Sequence, residues 1–147
     1  MATIAVAVDG TEASAAALAF ALDKATHSGA RLAGVFLLDS GWADFIGNDW
    51  QSSRNARQGF LDYVRVELEK QQELARRQFA AATSSVGQAS FSALAGDPAE
   101  SLAAFMHHGE ADMLVIGEDA FIACGRPSAK ALVATLKREV RQPVYVL

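Results

Sequence analysis

The chain has 147 residues, 51% of them hydrophobic and 20% charged, with 17 acids against 13 bases and a formal net charge of −4. That length supports one buried core without metal or disulfide staples, and an acidic balance excludes nucleic acid as the main partner, since phosphate backbones select basic faces. Cys124 stands alone, which excludes an internal disulfide; with no basic leader and no uncharged apolar window of about 20 residues, a cytoplasmic protein that does not enter a membrane is expected.

Thr3-Ile4-Ala5-Val6-Ala7-Val8 is a nearly continuous apolar run, the pattern of a strand buried on both faces. It stops at Asp9-Gly10, after which Thr11 suits a helix N-cap with Glu12 in the first turn. Ala15, Leu18, Ala19, Leu22 and Ala25 recur at helical spacing and predict the buried face of the first helix. Lys24 and His27 complement the dipole at its end, and Gly29 is the expected closing residue. Residues 31–38 return as a second strand, completing a βαβ unit.

Residues 40–53 break this rhythm with Gly41, Gly47 and Asn48 around an aromatic cluster of Trp42, Phe45, Ile46 and Trp50. Residues 54–82 then predict a long amphipathic helix with Leu61, Val64, Leu68, Ala75 and Phe79 near one face. Its acids and bases are interspersed, as on a solvated outer face. A third strand is expected at 88–94. Asp97-Pro98-Ala99-Glu100 is a helix start with Asp97 as N-cap, Pro98 at the first helical position and Glu100 in a capping-box arrangement, and the helix is expected to close at Gly109.

The apolar run Asp112-Met113-Leu114-Val115-Ile116 ends at Gly117; a helix is expected at about 127–141, then a last strand, Pro143-Val144-Tyr145-Val146-Leu147. The alternation predicts an α/β fold, an open doubly wound parallel sheet under right-handed crossovers. With no repeat or linker composition, residues 1–147 are expected to form one domain. A strand that ends in glycine and feeds a helix N-terminus is where such folds hold phosphates. Here those positions carry Glu118, Asp119, Ala120 and Lys130.

Four segments together, residues 4–14, Gly96-Asp97-Pro98-Ala99-Glu100, residues 111–117 and Pro143-Val144-Tyr145-Val146, resemble the universal stress protein family across essentially the whole chain. The resemblance implies a five-stranded sheet in the order 3-2-1-4-5, of the adenine-nucleotide alpha-hydrolase-like kind, and homodimers paired through the last strand. ATP-binding members are similar to one another after the fourth strand, where Gly, two residues, Gly, nine residues, Gly and then Ser or Thr recur. Counted from Gly117, those positions hold Ala120, Lys130 and Ala131, so only Gly117 is retained. At the adenosine end Asp9 matches the family's adenine-contacting acid, and Leu37 at the end of strand two is placed to line a base pocket.

Two functional readings follow from the resemblance. One is a non-catalytic stress-response regulator that acts through homodimer and partner contacts, without tight ATP binding and without a cofactor. The other is an ATP- or AMP-binding member that uses Asp9, Leu37, Gly117 and Lys130, with nucleotide-dependent signalling or slow hydrolysis.

The substitutions oppose a polyphosphate. Ala costs about 1 kcal/mol relative to Gly wherever a positive φ is needed, Ala131 has no hydroxyl to donate, and Glu118 and Asp119 add like charge. Either acid is also a candidate to occupy the helix N-terminus in place of a phosphate; the alternative is a pair of solvated loop acids. Asp9, in Asp-Gly-Thr-Glu, is equally a turn residue.

His107-His108 lacks a Cys neighbour or an i, i+4 partner, so no metal site is expected. Cys124 near Arg126 reads as a plain loop cysteine before a redox sensor. Ser14, Ser128 and Thr11 carry no signature of an activated nucleophile, and no catalytic residue is assigned. Trp42, Phe45 and Trp50 are candidates for a protein partner, a ligand lid, or a loop packed on its own domain. The last strand, apolar and at an edge, predicts self-pairing about a two-fold axis.

Overall fold

The structure, a computed structural model, describes residues 2–39, 54–84, 87–117 and 129–147. The aromatic cluster Trp42, Phe45, Ile46 and Trp50, and the loop with Glu118, Asp119, Ala120, Cys124 and Arg126, lie outside the described residues. Five strands, β1 (Thr3–Ala7), β2 (Arg31–Asp39), β3 (Ala89–Gly96), β4 (Met113–Ile116) and β5 (Val144–Val146), form one sheet in the order 3-2-1-4-5. All four pairings are parallel. Parallel strands need crossovers, supplied by α1 (Glu12–Ser28), α2 (Arg54–Ala82), α3 (Pro98–Phe105) and α4 (Ala129–Glu139). The α/β class is that expected from the alternation of elements, and the strand order is that implied by the family resemblance.

The two faces of the sheet carry separate cores. On one, Ile4, Val6 and Val8 of the first strand and its exit join Leu32, Phe36 and Val115 under α1 and α2. On the other, Ala5, Ala7, Val35, Leu37, Leu114 and Ile116 meet Leu102, Met106, Leu132 and Leu136. This alternation along β1, with both parities buried, is why the strand reads as an unbroken apolar run.

The buried face of α1 agrees with the expected one at Leu18, Leu22 and Ala25, which join the core, and differs at Ala15 and Ala19. Ala17, Leu18, Ala21 and Ala25 are buried with Ser14, while Ala15 and Ala19 are exposed. Alanines recur around this helix, so spacing alone does not single out a face; the sheet residue opposite decides it. In α2, Ala75 and Phe79 are buried and Leu68 packs against the same core, as expected, while the side chains of Leu61 and Val64 lie outside the described ones. A Cβ at Gly34 of β2 would stand 2.6 Å from the Phe79 ring, so the bare backbone there lets α2 lie close to the sheet.

At α3, Asp97 caps as the sequence predicts: its carboxylate accepts the Glu100 N–H at 3.0 Å, with Pro98 at the first position. The helix does not continue uniformly to His108. From Met106 to Glu110 it widens into a π-type turn, and the Met106 carbonyl accepts from Gln142 Nε2 at 3.1 Å. The amide takes up a backbone acceptor near the end of the helix. Among the described residues no helix is long and apolar enough to cross a membrane.

Candidate functional site

The sheet order puts a switch of direction at β1: the chain leaves it toward β2 on one side and reaches β4 on the other. In such sheets ligands bind outside the carboxyl ends of the strands at that point. Ala7 pairs with Val35, and Val8 N–H donates to the Val35 carbonyl at 2.9 Å, so the ladder runs one residue past β1. Extending the register sets Asp9 level with Leu37 on one side. On the other, Val6 pairs with Val115, which sets Val8 level with Gly117. Three of the six expected site residues, Asp9, Leu37 and Gly117, thus share one edge. Lys130 and Ala131 are the second and third residues of α4, and Ala120 lies outside the described residues.

Asp9 is 2% exposed, and its carboxylate is turned into its own loop. Oδ1 accepts the Thr11 N–H at 2.8 Å and the Thr11 hydroxyl at 2.6 Å. This is an Asx turn, which mimics a backbone turn with a side chain. The Thr11 carbonyl accepts the Ser14 N–H at 3.3 Å, opening α1 as expected. Gly10 has φ +81, and a Cβ there would meet Leu74 Cβ at 2.9 Å and the Ala75 nitrogen at 3.0 Å. Only glycine allows this turn to press against the α2 backbone.

The rest of the turn is bonded to α2. Gln71 Nε2 donates to the Asp9 carbonyl. Gln78 uses both ends of its amide: Nε2 donates to the Thr11 carbonyl at 2.8 Å, and Oε1 accepts the Gly10 N–H at 3.1 Å. Oε1 also accepts the hydroxyl of fully buried Ser14 at 2.6 Å. That hydroxyl in turn accepts the Asp9 N–H at 3.2 Å. The network runs from buried Ser14 and Asp9 to the exposed Thr11, and its mutual bonds favour one geometry. Sequence reasoning missed Gln71 and Gln78. The available signal was two amides seven apart, two helical turns, on the same stripe as Leu68, Ala75 and Phe79, where a purely apolar face would carry aliphatic residues.

Leu37 is 3% exposed and belongs to the core beneath α3 and α4. Its position is at the edge, but its side chain contributes to packing. Gly117 is buried directly after β4. Among the described residues no group of three or more His, Cys, Asp or Glu side chains is arranged to hold a metal ion.

The model of the universal stress protein family matches residues 1–120. The chain belongs to the universal stress protein family. The match includes Asp9, Leu37, Gly117 and Ala120, and stops short of Lys130 and Ala131. No curated protein sequence matches the chain. Among solved structures, the universal stress protein UspA from Lactobacillus plantarum superposes with a TM-score of 0.71 at 17% identity, covering 99% of this chain and 97% of that one. A universal stress protein solved in complex with cAMP is similar at 21% identity and a TM-score of 0.66, covering 99% and 96%. The universal stress protein from Archaeoglobus fulgidus in complex with dAMP is similar at 16% identity and a TM-score of 0.60, covering 99% and 97%. At these identities the likeness establishes a shared universal stress protein fold.

Proposed function

We propose that this universal stress protein is a small cytoplasmic, non-catalytic regulator of a stress response, one 147-residue domain that acts through a homodimer and partner contacts without tight ATP binding. The observation that carries this reading is the state of the Asp9 edge: the Asp9 carboxylate, the Asp9 and Thr11 carbonyls and the Gly10 N–H are all bonded within the protein. The residues at the phosphate positions point the same way. Ala120, Lys130 and Ala131 stand where the resemblance calls for Gly, Gly and Ser or Thr, with Glu118 and Asp119 adding negative charge. A polyphosphate needs bare amides and positive potential, and this sequence offers less of each.

The homodimer is proposed through β5. The Leu147 N–H and the Pro143 carbonyl face β4, so the alternate groups, at Val144 and Val146, face outward from the last strand of the described sheet. Val146 and Leu147 are each 41% exposed. An apolar edge with outward backbone groups is a template for a second copy. Trp42, Phe45 and Trp50 are proposed as the protein-partner surface.

The second reading is nucleotide binding by adenosine or AMP rather than ATP. It is favoured by the gathering of Asp9, Leu37 and Gly117 at one edge and by the cAMP and dAMP in the two related structures. Back-substitution separates the two. Ala120→Gly, Lys130→Gly and Ala131→Ser, with Glu118 and Asp119 neutralised, is expected to raise ATP affinity by at least about tenfold. No gain in calorimetry would remove the substitutions as the cause of weak binding.

A further inference from the structure

The Gln78 amide makes two bonds to the β1–α1 turn that differ in kind: it gives a hydrogen to the Thr11 carbonyl and takes one from the Gly10 N–H. One planar group presenting a donor beside an acceptor is also the hydrogen-bonding edge of adenine, an exocyclic NH2 next to a ring nitrogen. Gln71 adds a third bond, to the Asp9 carbonyl. Between the two amides Leu74 and Ala75 lie against Gly10, close enough that no ring fits between helix and turn. A base reaching these groups therefore has to displace this part of α2.

We propose that Gln78, with Gln71, is an internal latch: α2 satisfies the β1–α1 turn in the manner of an adenine edge, and the turn opens to an adenine base only when α2 moves off it. This inference rests on the reading of the Asp9 edge as the adenosine end of the site. The N-terminal half of α2 carries two well-exposed apolar residues, Tyr63 at 63% and Val66 at 44%. Movement of this helix therefore changes a surface as well as a site. The latch gives a regulator a route by which a base at the sheet edge alters what α2 presents.

Removing the amide while keeping its bulk tests the latch. Gln78→Met keeps the bulk of the side chain, takes the acceptor from the Gly10 N–H and removes one donor from the Thr11 carbonyl, which keeps those of the Ser14 N–H and hydroxyl; a ligand that restores the lost Gly10 bond is then favoured. Calorimetry on the full chain is expected to show adenosine binding at least about tenfold tighter than in the parent, equivalent to 1.4 kcal/mol. The gain is expected to be equal for adenosine, AMP and ATP, because the latch acts on the base. In the parent, saturating adenosine is expected to speed hydrogen exchange of residues 71–79 while leaving the β1 and β2 amides unchanged.

Equal adenosine affinity in a folded Gln78→Met variant would overturn the latch, as would slower or unchanged exchange of residues 71–79 in adenosine-bound parent. If Gln78→Met does not fold, Gln71→Met removes a single bond and is read in the same way; no adenosine binding in either it or the parent also overturns the proposal. Tight ATP binding by the parent contradicts the non-nucleotide reading above and leaves the parent-to-variant adenosine comparison to decide the latch.

Discussion

Gly10 is the residue on which the local arrangement turns. Its φ of +81 and the 2.9 Å approach a Cβ would make to Leu74 act together. Gly10→Ala is expected to lose about 2–4 kcal/mol, from left-handed strain and overpacking combined, read as a lower denaturant midpoint. A change below about 0.5 kcal/mol would mean that α2 does not press on the turn. Asp97→Ala is expected to cost about 1 kcal/mol through loss of the α3 cap, measured in the same way. Glu73 offers a pH test. The hydrogen bond from Arg76, with a second from Arg77, holds its carboxyl down at about 2, against an ordinary 4.5. A group depressed in the folded state stabilises fully above pH 4.5, and that contribution fades as the pH falls toward 2. Its pairs are solvent-exposed, so added salt is expected to raise the midpoint. Carboxyl NMR titration of the parent and of Arg76→Gln checks this, the variant titrating closer to the ordinary range. At this scale the cap at Asp97 was legible because an N-cap is a local motif. Gln71 and Gln78 were not, because their partners lie more than 60 positions away in the chain.

Among the elements, β5 carries the clearest prediction. Val146→Lys places a charge on an exposed position and leaves the buried core intact. It is expected to convert a dimer to a monomer in light scattering at micromolar protein, and a dimer that persists would remove β5 as the interface. Strand and helix order was readable because β1, β2 and β4 form apolar runs and the crossovers at α1 and α3 start on the capping signals of Thr11 and Asp97. The inward face of α1 was readable at Leu18, Leu22 and Ala25 but not among its other alanines, which mark no unique side and are sorted by Val6, Val8 and Val115 across the interface. The π-type turn at Met106–Glu110 was equally invisible. It involves Gln142, a residue 36 positions away.

For the whole molecule, the shared edge of Asp9, Leu37 and Gly117 follows from strand order and register, so the place of the candidate site was legible only once the family resemblance supplied the order of the strands. What occupies it is a matter of side chains that came from different elements, and the family pattern could mark the substitutions at 120, 130 and 131 without showing that α2 covers the turn. The weak polyphosphate binding proposed for this universal stress protein is checked by a calorimetric titration of ATP into the unmodified protein. A dissociation constant weaker than about 1 mM is expected, and saturable binding at about 1 μM would overturn the proposal.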